Sequence, residues 1–128
     1  MILLLLLATA LDPRTALIGT WDGKSLCTPV RPACHGEHAV YHVTVPDKPG
    51  IITMQMNKVV DGKEVEMGGA VDYKVNADAT SLVSEYSYNG NHLRWDFTRK
   101  GDQMTGTLID VPSGAVIRNI SVSKIPKR

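Results

Sequence analysis

Gly19-Thr20-Trp21 stands at the head of about eight alternating segments, each closed off by turn residues. That arrangement constrains the fold more than anything else in the chain. Strict alternation lets a strand bury one face, and connections this short oblige each strand to pair with its sequence neighbour. The result is a meander, and closing it on itself removes both exposed edges. A glycine two residues before a large indole, at the start of the first strand, suits a side chain that seals one end. The pattern therefore predicts an all-β chain: a single antiparallel meander of about eight strands closed into a barrel.

Strands are expected near 18–27, 37–46, 50–60, 63–75, 80–88, 91–99, 102–111 and 114–125. Asp61-Gly62 and Asn89-Gly90 are two-residue hairpin signals that supply positive φ. Asp47-Lys48-Pro49-Gly50, Lys100-Gly101-Asp102 and Pro112-Ser113-Gly114 are longer turns built on the same logic. No segment carries a helical period.

Parity assigns the faces. In the fourth strand Val65, Met67, Gly69, Val71, Tyr73 and Val75 share one side, while Glu64, Glu66, Asp72 and Lys74 share the other. By the same rule Trp21, Tyr41, Val43, Ile52, Met54, Met56, Leu82, Tyr86, Leu93, Trp95, Phe97, Met104, Leu108, Val116, Ile120 and Val122 are expected to point inward. Arg118 shares parity with Val116, Ile120 and Val122, so it is aimed inward too. An inward arginine needs a partner, and the Trp21 face offers a cation–π contact if the first and last strands are neighbours.

Gly19, Trp21 and Arg118 together resemble the calycin superfamily, that is, the lipocalins and their small bacterial lipocalin-like relatives. There a Gly-x-Trp on the first strand is covered by an arginine near the end of the barrel. The resemblance implies a lipocalin-like barrel over roughly residues 17–125, with Gly19, Trp21 and Arg118 as its closing residues. It departs from the larger lipocalins in having no counterpart of their C-terminal helix.

With 128 residues the chain supports one domain with a real core. Lys and Arg number 14 and Asp and Glu 13, with the signs interspersed, so no basic stripe exists for a nucleic acid. Residues 1–10 read as a signal-peptide-like segment, Ile2–Leu7 being its apolar stretch and Ala8-Thr9-Ala10 its small-residue cleavage site. Residues 11–128 are then the single β-barrel domain. The apolar run falls short of the ~20 residues a spanning helix needs. The expected location is secreted or periplasmic, where Cys27 and Cys34, flanking a Pro-rich loop, form a disulfide.

Three functional readings stand. The first is a small-molecule-binding barrel for an apolar or aromatic ligand, without catalysis and without a cofactor. Tyr41, Met54, Met56, Met67, Tyr73, Tyr86, Trp95, Phe97 and Met104 would line its lumen, reached from the end opposite Trp21 beside the Cys27–Glu37 loop. The second is a small barrel enzyme or metal-binding protein using the Cys27–His42 segment, with Cys27, Cys34, His35 and His38 as the ligand set. His38 and His42 cannot share an ion there, being four strand residues or about 13 Å apart. The third is a structural or inhibitory module acting through its outer surface around a packed core, because an eight-stranded barrel is barely wider than its own side chains. No nucleophile elbow, phosphate loop, dinucleotide fingerprint or Cys-x-x-Cys is present, and Glu64 and Glu66 fall on the outer face.

Overall fold

Every turn signal in the sequence ends a strand. In the computed structural model, which describes residues 11–126, the order is β1 (Gly19–Cys27), β2 (Glu37–Thr44), β3 (Ile51–Val60), β4 (Lys63–Val75), β5 (Ser81–Tyr88), β6 (Asn91–Lys100), β7 (Gln103–Asp110) and β8 (Val116–Lys124). The signal-like segment 1–10 lies outside the described residues. Each strand runs antiparallel to the next, and β8 returns to β1, giving a closed barrel. At the β3–β4 and β5–β6 hairpins Asp61 and Asn89 take φ of 51° and 48°, followed by Gly62 and Gly90 at 77° and 78°. These are the conformations that a two-residue hairpin matching strand twist requires. Among the described residues no helix is long and apolar enough to cross a membrane.

One end of the barrel is plugged. A 3-10 helix, Pro13–Leu17, precedes β1, capped by Asp12. Its Arg14 binds Asp12 and donates from Nη1 to the carbonyls of Lys48 and Ile51, both at 2.7 Å, fastening the helix to the β2–β3 loop. Leu17 is fully buried, and its carbonyl accepts the Trp21 indole N–H at 2.9 Å. That bond matters because a buried indole N–H without an acceptor would offset much of the gain from burying the ring. Above the plug lie Val43, Ile52, Met54, Tyr73, Leu82, Phe97, Met104 and Val122, all buried. Phe97 meets Tyr41 and Tyr73 edge-on at 6.1 and 5.8 Å, arrangements that aromatic quadrupoles favour.

The arginine expected over Trp21 is not there. Trp21 stands opposite Lys124 in the β1–β8 ladder, and Lys124 Nζ lies 5.8 Å from the ring centroid while donating to the Ala16 carbonyl at 2.8 Å. Gly19 makes room for this: its φ is 137°, and a Cβ would come within 3.0 Å of Lys124 Cε. Arg118 does point into the barrel, as parity requires, but it pairs with Cys27 in register. That is six residues from Lys124 along β8, roughly 20 Å at strand rise. Alternation reports which face a residue occupies and is silent about its height along the axis.

Two further inward expectations need correction: Val65 is 40% exposed, and Gly69 is exposed as well. The cause is a bulge in β4: Gln55 pairs with Ala70 and Asn57 with Glu66, so Met67, Gly68 and Gly69 together face Met56. Gly68 and Gly69 hold φ of 77° and 93°, which only glycine adopts without strain. Beyond this point β3 keeps its ladder with β2 as far as Val59, while β4 no longer pairs with β5. Between β4 and β5 the ladder is confined to Lys74–Val83 and Val75–Leu82. A seam therefore opens between these two strands over the half of the barrel remote from Trp21.

Trp21 should couple to Lys124 and not to Arg118. In double-mutant cycles, Trp21→Leu with Lys124→Met is expected to show an interaction of about 0.5–1 kcal/mol. Trp21→Leu with Arg118→Met should be additive within about 0.3–0.5 kcal/mol. Urea denaturation of the three single and two double variants measures both terms.

Candidate functional site

The seam and the open end of the barrel enclose a cavity of about 660 Å³ bordered by Glu37, Tyr41, Met56, Met67, Gly68, Ala70, Val71, Asp72, Ser84, Tyr86, Tyr88 and Trp95. Its size falls within the range of about 300–1,000 Å³ typical of small-molecule sites. The nine residues expected to line a lumen divide by height. Tyr41, Met56, Met67, Tyr86 and Trp95 border the cavity. Met54, Tyr73, Phe97 and Met104 are sealed in the packed half, nearer Trp21. The barrel is thus packed throughout at the Trp21 end, while at the other end the cavity lies beside a smaller buried cluster of Leu93, Leu108 and Ile117 packed on Trp95.

Among the cavity residues outside the expected lining, three carry polar groups of consequence: Tyr88, Glu37 and Asp72. Tyr88 is two residues beyond Tyr86 on the same face of β5, and alternation was sufficient to find it. Glu37 shares parity with Tyr41 and Val43, so an inward carboxylate was legible as well. Asp72 was not: it faces outward on β4 by parity, where Thr53 Oγ1 donates to it at 2.8 Å, and it meets the cavity only because the seam opens beside it.

A polar cluster stands behind the cavity. Arg118 Nη1 donates to Ser25 Oγ at 3.1 Å, and its Nη2 donates to Glu37 Oε1 at 3.4 Å. The Arg118 and Glu37 side chains are 14% and 16% exposed, and Ser25 is buried. Burial pushes the Tyr41 phenol well above its ordinary range, and the neighbouring Glu37 carboxylate adds to the effect, with Arg118 opposing it. Tyr73 is raised in the same direction by its own burial. Tyr86 is raised more mildly, again through burial, while Arg31, Trp95 and Arg118 pull it back.

The β1–β2 loop borders the same end and is pinned by a Cys27–Cys34 disulfide. With both sulfurs committed to each other, the set Cys27, Cys34, His35 and His38 has no thiolate to offer a metal. Among the described residues no three His, Cys, Asp or Glu side chains gather as a cation site. Three histidines lie on the outer surface in carboxylate pairs: His38 with Asp22 at 2.9 Å, His42 with Glu64 at 2.7 Å and His92 with Glu85 at 3.0 Å. His42 also meets Thr20 Oγ1 at 3.1 Å, forming a hydroxyl–imidazole–carboxylate chain. Glu64 also accepts from Asn57 at 2.9 Å. The chain ties β1, β2 and β4 together on an exposed face, and at its Thr20 end it borders a surface pocket shared with Ile18, Gly19, Asp102 and Lys124.

Two consequences are measurable. The Tyr41 and Tyr73 phenols stay protonated in the folded protein where an unfolded phenol ionises, at its ordinary value of 10.0. Their contribution is complete below that pH and is lost as pH rises through the folded-state values. Above pH 10 stability should fall by about 1.4 kcal/mol per pH unit for each phenol. A Tyr41→Phe, Tyr73→Phe double variant should flatten that limb in denaturation curves taken across alkaline pH. Reducing the disulfide should lower stability by about 2–3 kcal/mol on the loop-entropy estimate. Intact mass should show two alkylatable thiols only after reduction.

The architecture is compatible with a lipocalin-like barrel. No known protein-family model matches the chain, and no curated protein matches it at significant similarity.

Proposed function

We propose that the protein is a lipocalin-like carrier that binds a small, largely apolar or aromatic molecule in the open half of its barrel, without catalysing a reaction. The observation that carries this reading is the cavity at the β4–β5 seam, walled by Tyr41, Met56, Met67, Val71, Tyr86, Tyr88 and Trp95. Two of its aromatic residues remain uncovered, Tyr86 at 38% and Tyr88 at 68% exposure. A folded protein gains by covering such surface, and a ligand that does so removes it from water at roughly 25 cal/mol per Å². The packed half supplies the rigid floor: Phe97 stacks on Trp95 at 6.2 Å, fixing the indole at the cavity wall.

The disulfide and the apolar run at residues 2–7 support action outside the cytosol, with residues 1–10 as the export signal. Export also suits a carrier, which needs only to bind and release.

In a Trp21→Phe background Trp95 is the sole tryptophan, since the chain has two. Titration with N-phenyl-1-naphthylamine, a neutral apolar probe, should give saturable enhancement of probe fluorescence with matching quenching of Trp95. Met67→Asp should weaken the probe by about 10-fold or more, or about 1.4 kcal/mol. Absence of saturable binding to a folded protein would remove the carrier reading and move function to the outer surface.

A further inference from the structure

The hollow half of the barrel is chemically one-sided. Four aromatic rings border it, those of Tyr41, Tyr86, Tyr88 and Trp95, and its charged lining residues are Glu37 and Asp72, both acidic. No lysine or arginine among the described residues lines it. Two arginines stand near its lining, and neither is free of partners. Arg31 donates to Asn91 at 3.2 Å and lies 4.0 Å from Asp110. Arg118 holds Ser25 and one oxygen of Glu37, Oε1, from behind the wall. The second carboxylate oxygen, Oε2, has no hydrogen-bond partner among the described residues, and the residue borders the cavity.

Each class of occupant meets this lining differently. A purely apolar ligand would shield the free oxygen of Glu37 from water and give it nothing in exchange. A carboxylate ligand would face two like charges. A cation meets opposite charge at Glu37 and Asp72 and the negative faces of aromatic rings, the arrangement by which aromatic cages hold ammonium groups. We infer that the cavity takes an organic cation: an amine or quaternary ammonium group carried on an apolar or aromatic body. The inference rests on the ligand-binding reading above and specifies the ligand's polar end. Arg118 acts as a positioning residue, holding Glu37 by Oε1 and leaving Oε2 available to a ligand. The chain's formal net charge is +1, so no general attraction for cations competes with this local one.

Three probes that share one skeleton test it: 4-phenylbutylamine, 4-phenylbutanol and 4-phenylbutanoate, measured by calorimetry on the full chain at neutral pH and moderate salt. The amine should bind at least about 10-fold tighter than the alcohol, and the carboxylate weaker than both. Glu37→Gln should bring the amine-to-alcohol ratio to within about threefold of unity. Asp72→Asn, at the rim, should reduce that ratio without abolishing it, and serves if Glu37→Gln does not fold. Equal binding of amine and alcohol would overturn the cation inference and leave the apolar-carrier reading standing. Tightest binding of the carboxylate would overturn it in favour of Arg118 as the head-group residue. No binding of any of the three, with N-phenyl-1-naphthylamine also failing to bind, would overturn both readings together.

Discussion

The hydrogen bond from the Trp21 indole to the Leu17 carbonyl organises one whole end of the barrel. It lets the largest side chain in the chain be buried without stranding a polar group. It also fixes the short helix across the opening, where Arg14 ties it to the Lys48 and Ile51 carbonyls and Lys124 binds its Ala16 carbonyl. Gly19 is part of the same device, because a side chain there would crowd the lysine that covers the indole. With that end sealed and its core packed, the free space in the lumen is left at the other end.

The seam between β4 and β5 is the counterpart of that plug. A barrel with every strand paired has no edges to protect, yet here two neighbouring strands part after two residue pairs. The double glycine in β4 makes this affordable, since the extra residues are taken up in conformations that a side chain would strain. Beyond the bulge the edges carry Glu64, Glu66 and Glu85, charges that discourage pairing with another strand. The same opening that exposes Tyr86 and Tyr88 gives the lumen a lateral mouth.

Electrostatics inside the barrel follow from the placing of Arg118. A charged residue on the inward face is tolerated when other polar groups meet it, and Ser25 and Glu37 do so on adjoining strands β1 and β2. The cluster lies behind the cavity wall, and through Glu37 it gives a largely apolar lumen a polar group.

Much of this was legible in the residues. Turn chemistry at Asp61-Gly62, Asn89-Gly90 and the longer loops located all eight strands, because φ preferences act locally and need no partner. Alternation found most of the core for the same reason: which side of a strand a residue faces follows from the backbone alone. Height along the barrel axis does not. It depends on the stagger between strands, so the lysine over Trp21, the true surroundings of Arg118 and the split of the methionines between core and cavity were settled only by closure of the sheet. The β4 bulge had a visible sign in Gly68-Gly69, but its effect is a relation between β3, β4 and β5. Local sequence determined the strands and their faces; the long-range register decided where the barrel is solid, where it opens and which charges meet inside it.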